Sequence, residues 1–206
     1  NFIREVIRKD LINEFLAYIE KTGLQLDSTI ETSLFETNSF LINKELTLIE
    51  CAAFYGSIQI FKLLLMKNVK LPSSLWLYGI HGNKIELLHL LEENHVLTEE
   101  YSYDKIFYEA IKCHHNDIAN YIQNKFLQNQ IENSTFSISL KYYNFVYIQD
   151  KYINKSSFYD VCKHDYYWFV DNILKTEDID VNNRIILIIF FFNEINELFI
   201  FHQILN

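Results

Sequence analysis

The chain has 206 residues, half of them hydrophobic and 16% aromatic, with a net charge of −9, which suffices for one ordinary domain with a sizeable core and excludes a disordered polymer. Four glycines and one proline cannot supply the turns of a β-sandwich or barrel, nor a Gly-rich phosphate-cradling loop, so helices remain. The pI near 5.2 and the scatter of the 18 Lys and Arg argue against nucleic acid, whose binding starts from clustered positive charge.

Internal repetition organises the predicted elements. Glu14, Phe15, Leu16, Tyr18 and Ile19, followed by Gly23, read as the second helix of a first pair. After an irregular stretch at 27–44 comes the most regular segment, 47–69, TLIECAAFYGSIQIFKLLLMKNV. Here Ala52 and Ala53 let a helix approach its neighbour closely, Gly56 takes the left-handed conformation that ends it, and Ile60, Phe61, Leu63 and Leu64 build one apolar face of the next helix. Residues 74–96 return the same phrase, with Trp76, Gly79 and Ile80 in the first helix and Leu87, Leu88, Leu90 and Leu91 in the second. Lys62, Lys67 and Lys70 read as a solvated helix face. Residues 105–122 repeat the phrase again with Ala110, Ile111, Ile118, Tyr121 and Ile122. A second irregular stretch, 127–155, contains SISLKYYNFVYIQ, a partial echo of IKCHHNDIANYIQ. Val161, Cys162, Phe169, Val170 and Ile173 then lead to Ile179, Asp180, Val181 and Asn182.

Residues 47–69 resemble the ankyrin repeat, whose pattern runs TPLHxAAxxGHxEIVxLLLxxGA, through Thr47, Ala52, Ala53, Gly56, Ile60, Phe61, Leu63 and Leu64. The phrases ECAAFYGSIQIFK, SLWLYGIHGNKIELLHLLEENHV and CHHNDIANYIQ are similar to the divergent ankyrin-repeat proteins of protists, in which an ankyrin-like region of unknown function precedes more regular repeats. The resemblance covers about 1–182 and implies an all-α, ankyrin-like solenoid of stacked antiparallel helix pairs with irregular insertions. Its units fall near 1–26, 45–70, 72–97, 103–126 and 156–182. Index positions 14, 59, 86, 117 and 168 lie 45, 27, 31 and 51 residues apart, whereas regular ankyrin units repeat at about 33. The TP dipeptide that pre-sets each ankyrin turn is missing, so other contacts must hold the turns. Pro72, the single proline, stands just ahead of a unit.

The resemblance also implies where a partner binds. The two positions after the Ala-Ala pair face the concavity of an ankyrin stack; here they are Phe54 and Tyr55, His81 and Gly82, Lys112 and Cys113, and Lys163 and His164. Phe54 and Tyr55 are the expected anchors, because large aromatics are common in binding hot spots; the alternative is that irregular stacking or an insertion covers them. The expected function is a non-catalytic scaffold for an unidentified protein, without cofactor.

The residues that invite chemistry have plainer readings. Adjacent helical side chains point about 100° apart, so Cys113, His114 and His115 cannot chelate one ion together, and no second Cys/His pair at zinc spacing exists. They read as polar turn residues, and no metal site is expected. His89 is expected to be exposed. Cys51 and Cys162 read as compact apolar groups on first helices. The pairs Glu92/Glu93 and Glu99/Glu100 read as a solvated edge without basic counterparts.

Three widely spaced cysteines make no disulfide framework and fit a reducing, cytoplasmic compartment. The chain starts at Asn1 without a leader and reads as a piece of a longer protein. Its apolar segment 183–206 has Glu194 and Glu197 in mid-course, which argues against a membrane span. The segment is expected to cap the last unit. Peripheral membrane association through Phe190 to Phe192 and residues 199–201 is the alternative, and a truncated repeat protein without selected activity is another.

Overall fold

A computed structural model describes residues 2–30, 37–42, 44–98, 102–127 and 133–176. It is mostly helical, as the composition requires, with one two-stranded ladder among the described residues. The chain divides into two compact units, Asn1–Asn129 and Gln130–Asn206.

Among its described residues the first unit contains four helix pairs: α1 (Phe2–Arg8) with α2 (Ile12–Thr22), α3 (Leu48–Tyr55) with α4 (Ile58–Met66), α5 (Leu75–Gly82) with α6 (Ile85–Glu93), and α7 (Tyr103–Lys112) with α8 (Asn116–Phe126). None exceeds 11 residues, too short to be stable alone in water, so packing must hold them. The first helices touch in succession, α1 with α3, α3 with α5 and α5 with α7, and α2 packs against α4.

The sequence explains the tightness of the α3–α5 contact. Ala52 and Ala53 are buried, and the two helices meet at backbone distance around Gly56 and Gly82. A Cβ on Gly56 would lie 2.5 Å from the Gly82 carbonyl oxygen, and one on Gly82 would collide with that of Ala53. The expected apolar faces are largely inside: Ile60, Phe61 and Leu64 on α4, Leu87, Leu88 and Leu91 on α6, Ile118 and Ile122 on α8. Each such side chain stabilises the fold by about 1.5–3 kcal/mol. Leu16 is an exception, exposed on α2, while its neighbour Phe15 is fully buried.

Each pair reverses direction through one left-handed residue: Asp10, Gly56, Asn83 and His114, with φ between 51° and 68°. Glycine does this once; elsewhere Asp, Asn and His adopt the conformation. In place of the missing TP dipeptide, Thr47 and Glu50 form a capping box on α3, with Glu50 N donating to Thr47 Oγ1 at 3.3 Å and Thr47 N to Glu50 Oε2 at 2.9 Å. Ser74 Oγ donates to the other Glu50 oxygen at 2.5 Å, linking the third pair to the second. Ser102 caps α7. A cap of this kind contributes about 1 kcal/mol.

The stretch 27–44 is pinned at its base by strands β1 (Thr29–Ile30) and β2 (Leu46–Thr47), antiparallel with Thr29 opposite Thr47 and Ile30 opposite Leu46. Leu41 from this stretch is buried, and Phe40 is half-buried.

The second unit is described from 133 to 176. Helix α9 (Asn133–Lys141) is followed by three 3-10 turns at 145–147, 150–152 and 155–157, then by α10 (Phe158–Lys163) and α11 (Tyr167–Thr176). Phe136, Leu140, Phe158, Val161, Cys162, Val170 and Ile173 form its core. Left-handed residues recur after α9, at Tyr143, and between α10 and α11, at Asp165. The partial echo at 137–149 thus carries one α-helix, a left-handed turn and a 3-10 turn where a second helix would stand. The expected closure at 179–182 and the C-terminal cap lie outside the described residues. No described helix is long and apolar enough to cross a membrane.

Candidate functional site

Because α3, α5 and α7 touch in succession, their last turns bring together residues far apart in sequence. Phe54 and Tyr55 come from α3, Tyr78 and His81 from α5, and Glu109, Lys112 and Cys113 from the end of α7. The expected row in the first unit is therefore contiguous in part, but Phe54 is not on its surface. Its ring is only 8% exposed, because Phe40 from the 27–44 stretch stacks over it with centroids 6.1 Å apart and planes 9° apart. The expectation of an exposed Phe54 anchor is corrected on this point: the side chain is a core aromatic beneath a lid from another part of the chain.

Phe40 also meets the edge of Tyr78 at 5.4 Å and lies 4.0 Å from the His81 ring. Lys44 places its ammonium 3.7 Å above Phe40, a cation–π contact worth about 0.5–1 kcal/mol at an exposed position. Tyr55 stands edge-on to Phe54 and remains half-buried, accessible at the rim of this cluster.

Beside these rings His81 Nε2 lies 3.0 Å from Glu109 Oε1, with both side chains largely enclosed. Lys112 donates to both oxygens of the same carboxylate, at 3.1 and 3.3 Å. Burial pushes the Glu109 pKa upward, but hydrogen bonds from His81 and Lys112, reinforced by their charge, leave it below the ordinary carboxylate value. The ionised carboxylate has only acceptors, so His81 carries the proton of that bond on Nε2. Cys113 Sγ completes the group, 3.7 Å from His81 Nδ1 and 3.9 Å from Nε2. Burial first, and then the Glu109 charge, raise its thiol to about 11, so it is protonated and weakly nucleophilic at neutral pH.

The three residues read as polar turn positions do lie between α7 and α8, with separate tasks. Cys113 faces His81, His114 is the left-handed residue, and His115 Nδ1 donates to the Ile80 carbonyl at 2.7 Å. A parallel bond appears one position ahead of α4, where Ser57 Oγ donates to the Ile7 carbonyl at 2.5 Å. In both places a turn residue satisfies a carbonyl near the end of the preceding pair's first helix.

The second helices are joined by charge. Lys62 pairs with Glu86 at 2.5 Å, between α4 and α6. Glu92 accepts from Lys125 and, at 2.5 Å, from Tyr121 Oη on α8, which corrects the reading of Glu92 as an acidic edge without a basic counterpart. His89 is exposed, as expected, though its Nδ1 lies 3.2 Å from Tyr121 Oη. Glu93 is exposed, and Glu99 and Glu100 lie outside the described residues. Cys51 and Cys162 are buried and outside any disulfide. Desolvation holds each near 12, against a small opposing effect of Arg4 at Cys51 and with Asp165 adding to it at Cys162.

Lys163 and His164 belong to the second unit, where Lys163 is exposed at the end of α10 and His164 is half-buried. Burial, then Lys163, lower the His164 pKa, so it is neutral at physiological pH.

Sequence reasoning named His81, Lys112 and Cys113 but missed Glu109, Phe40 and Asp10. For Glu109 a signal existed: it stands four residues before Cys113, one turn below it on the same helix face. Compared with known proteins, the chain matches no family model and no curated protein.

Proposed function

We propose that the first unit is a divergent ankyrin-like array and acts as a non-catalytic scaffold that binds another protein along the ends of its first helices. The succession of contacts from α1 through α3 and α5 to α7 carries this reading. It links four helix pairs, each reversed by one left-handed residue, with small residues at the closest approach of α3 and α5, which is how repeat units that cannot bury an apolar side alone share a core. Such a stack presents side chains rigidly, so little conformational entropy is lost on association. The accessible residues of the expected row in this unit are Tyr55 and Lys112, with the outer surface of Phe40 and Lys44 beside them and His81 largely enclosed beneath.

Phe54 is a poor probe of this face, because its truncation removes core packing. A photoreactive amino acid placed at Tyr55 or at Lys112, with a third at Met66 on the exposed side of α4, tests the proposal. The same protein is expected to be crosslinked from positions 55 and 112 and not from 66, with helical circular dichroism unchanged in all three. Adducts from 66 alone, or equally from all three, would overturn the assignment of the binding face.

A further inference from the structure

His81, Glu109 and Cys113 offer one nitrogen, one oxygen and one sulfur donor within 4.8 Å of one another. They stand on two helices whose mutual packing fixes their separation. We propose that this trio binds a single zinc-class divalent cation through His81 Nε2, Glu109 Oε1 and Cys113 Sγ, with water as fourth ligand, clamping α5 to α7.

The distances suit the ion. Tetrahedral zinc, with bonds of about 2.0–2.3 Å, sets its nitrogen and oxygen ligands about 3.3 Å apart and its nitrogen and sulfur ligands about 3.6 Å apart. The corresponding separations here are 3.0 Å and 3.9 Å, with the oxygen and sulfur within 4.8 Å of each other, so rotations of the side chains would bring the three donors to bonding distance. The donor set selects among cations. Calcium and magnesium take oxygen ligands, whereas a thiolate with an imidazole and one carboxylate suits zinc and its borderline neighbours. Neighbouring groups hold the ligands in place: Phe40 and Phe54 pack against the imidazole, and Lys112 reaches both carboxylate oxygens.

Binding proceeds with balanced charge. The Cys113 S–H bond breaks and the sulfur pair binds the cation, while the His81 proton leaves Nε2 and one is taken up at Nδ1. One proton per ion therefore passes to solvent. Thiolate and carboxylate together neutralise the dication, and Lys112 gives up Oε1 while keeping Oε2.

Cobalt(II) is the probe, because it accepts the same ligands and reports them optically. Titration of the full chain is expected to saturate at one ion, with a thiolate-to-cobalt charge-transfer band in the near ultraviolet and visible bands of tetrahedral intensity. Competition with a chromophoric chelator is expected to show zinc affinity falling by more than about tenfold in Cys113→Ser and in His81→Ala, since even loss of a ligand's supporting partner costs that much. Cys162→Ser, in the second unit, is expected to leave both readouts unchanged. Absence of the thiolate band at saturating cobalt in the unmutated chain would overturn the proposal regardless of how the variants fold. So would equal zinc affinity in Cys113→Ser and Cys162→Ser.

Discussion

A single methyl group separates Gly82 from alanine, and the structure leaves no room for it. That carbon would strike the Ala53 carbonyl and crowd the Gly56 backbone, atoms that cannot rotate away. Gly82→Ala is therefore expected to destabilise the first unit by about 2–3 kcal/mol, the cost of forcing packed helices apart. Gly23 is the useful contrast. Its φ is +66°, yet nothing lies within 4 Å of the added carbon, so Gly23→Ala carries only the conformational cost of about 1 kcal/mol. Urea denaturation followed by circular dichroism ranks the two, with an unchanged m-value marking a true stability effect. Equal losses would mean that the α3–α5 approach is less tight than described.

Helix α4 shows how an element borrows what its own sequence lacks. Ser57, at its N-cap, makes no capping bond to its own helix, because its hydroxyl is committed to Ile7. The free N–H groups of Gln59 and Ile60 donate instead to the two carboxylate oxygens of Asp10, at 2.9 Å each. A negative group at a helix N-terminus combines hydrogen bonding with the favourable end of the helix dipole. Asp10→Ala is expected to cost about 1–2 kcal/mol, and Asp10→Asn less, since asparagine keeps one acceptor and tolerates the left-handed backbone. Thermal unfolding of the two variants checks this, and similar losses would remove the capping account. Little of it was legible beforehand. The α4 apolar face follows from a 3.6-residue period inside ten residues, whereas Asp10 lies 49 residues from Gln59, and no local pattern links them. The Phe40 lid over Phe54 was hidden for the same reason: an aromatic in an irregular stretch carries no periodicity to say what it will cover. The His81, Glu109 and Cys113 group spans two pairs, and only the Glu109–Cys113 half has a recognisable helical spacing.

At the scale of the whole chain, the repeat intervals read from apolar phrases reappear in the backbone. The left-handed residues inside the helix pairs, Asp10, Gly56, Asn83, His114 and Asp165, keep nearly the same uneven spacing as the index positions. Helix pairing was thus legible because it depends on local periodicity and on one chain reversal per pair, while the identity of the reversing residue was not, since several polar types reach φ > 0. That tolerance leaves a stability reserve in the turns. His95 and Tyr143 hold left-handed φ values of 53° and 58° that glycine would adopt without the β-carbon penalty of about 1 kcal/mol or more. His95→Gly and Tyr143→Gly are each expected to raise the melting temperature, and lowered values in both would show that these side chains matter more than their backbone strain. Asp10→Gly is expected to do the opposite, because it removes the acceptor that starts α4. A chain poor in glycine is in this sense tunable at its corners: each reversal can be relaxed by one substitution, except where the turn residue has also become a foundation for its neighbour.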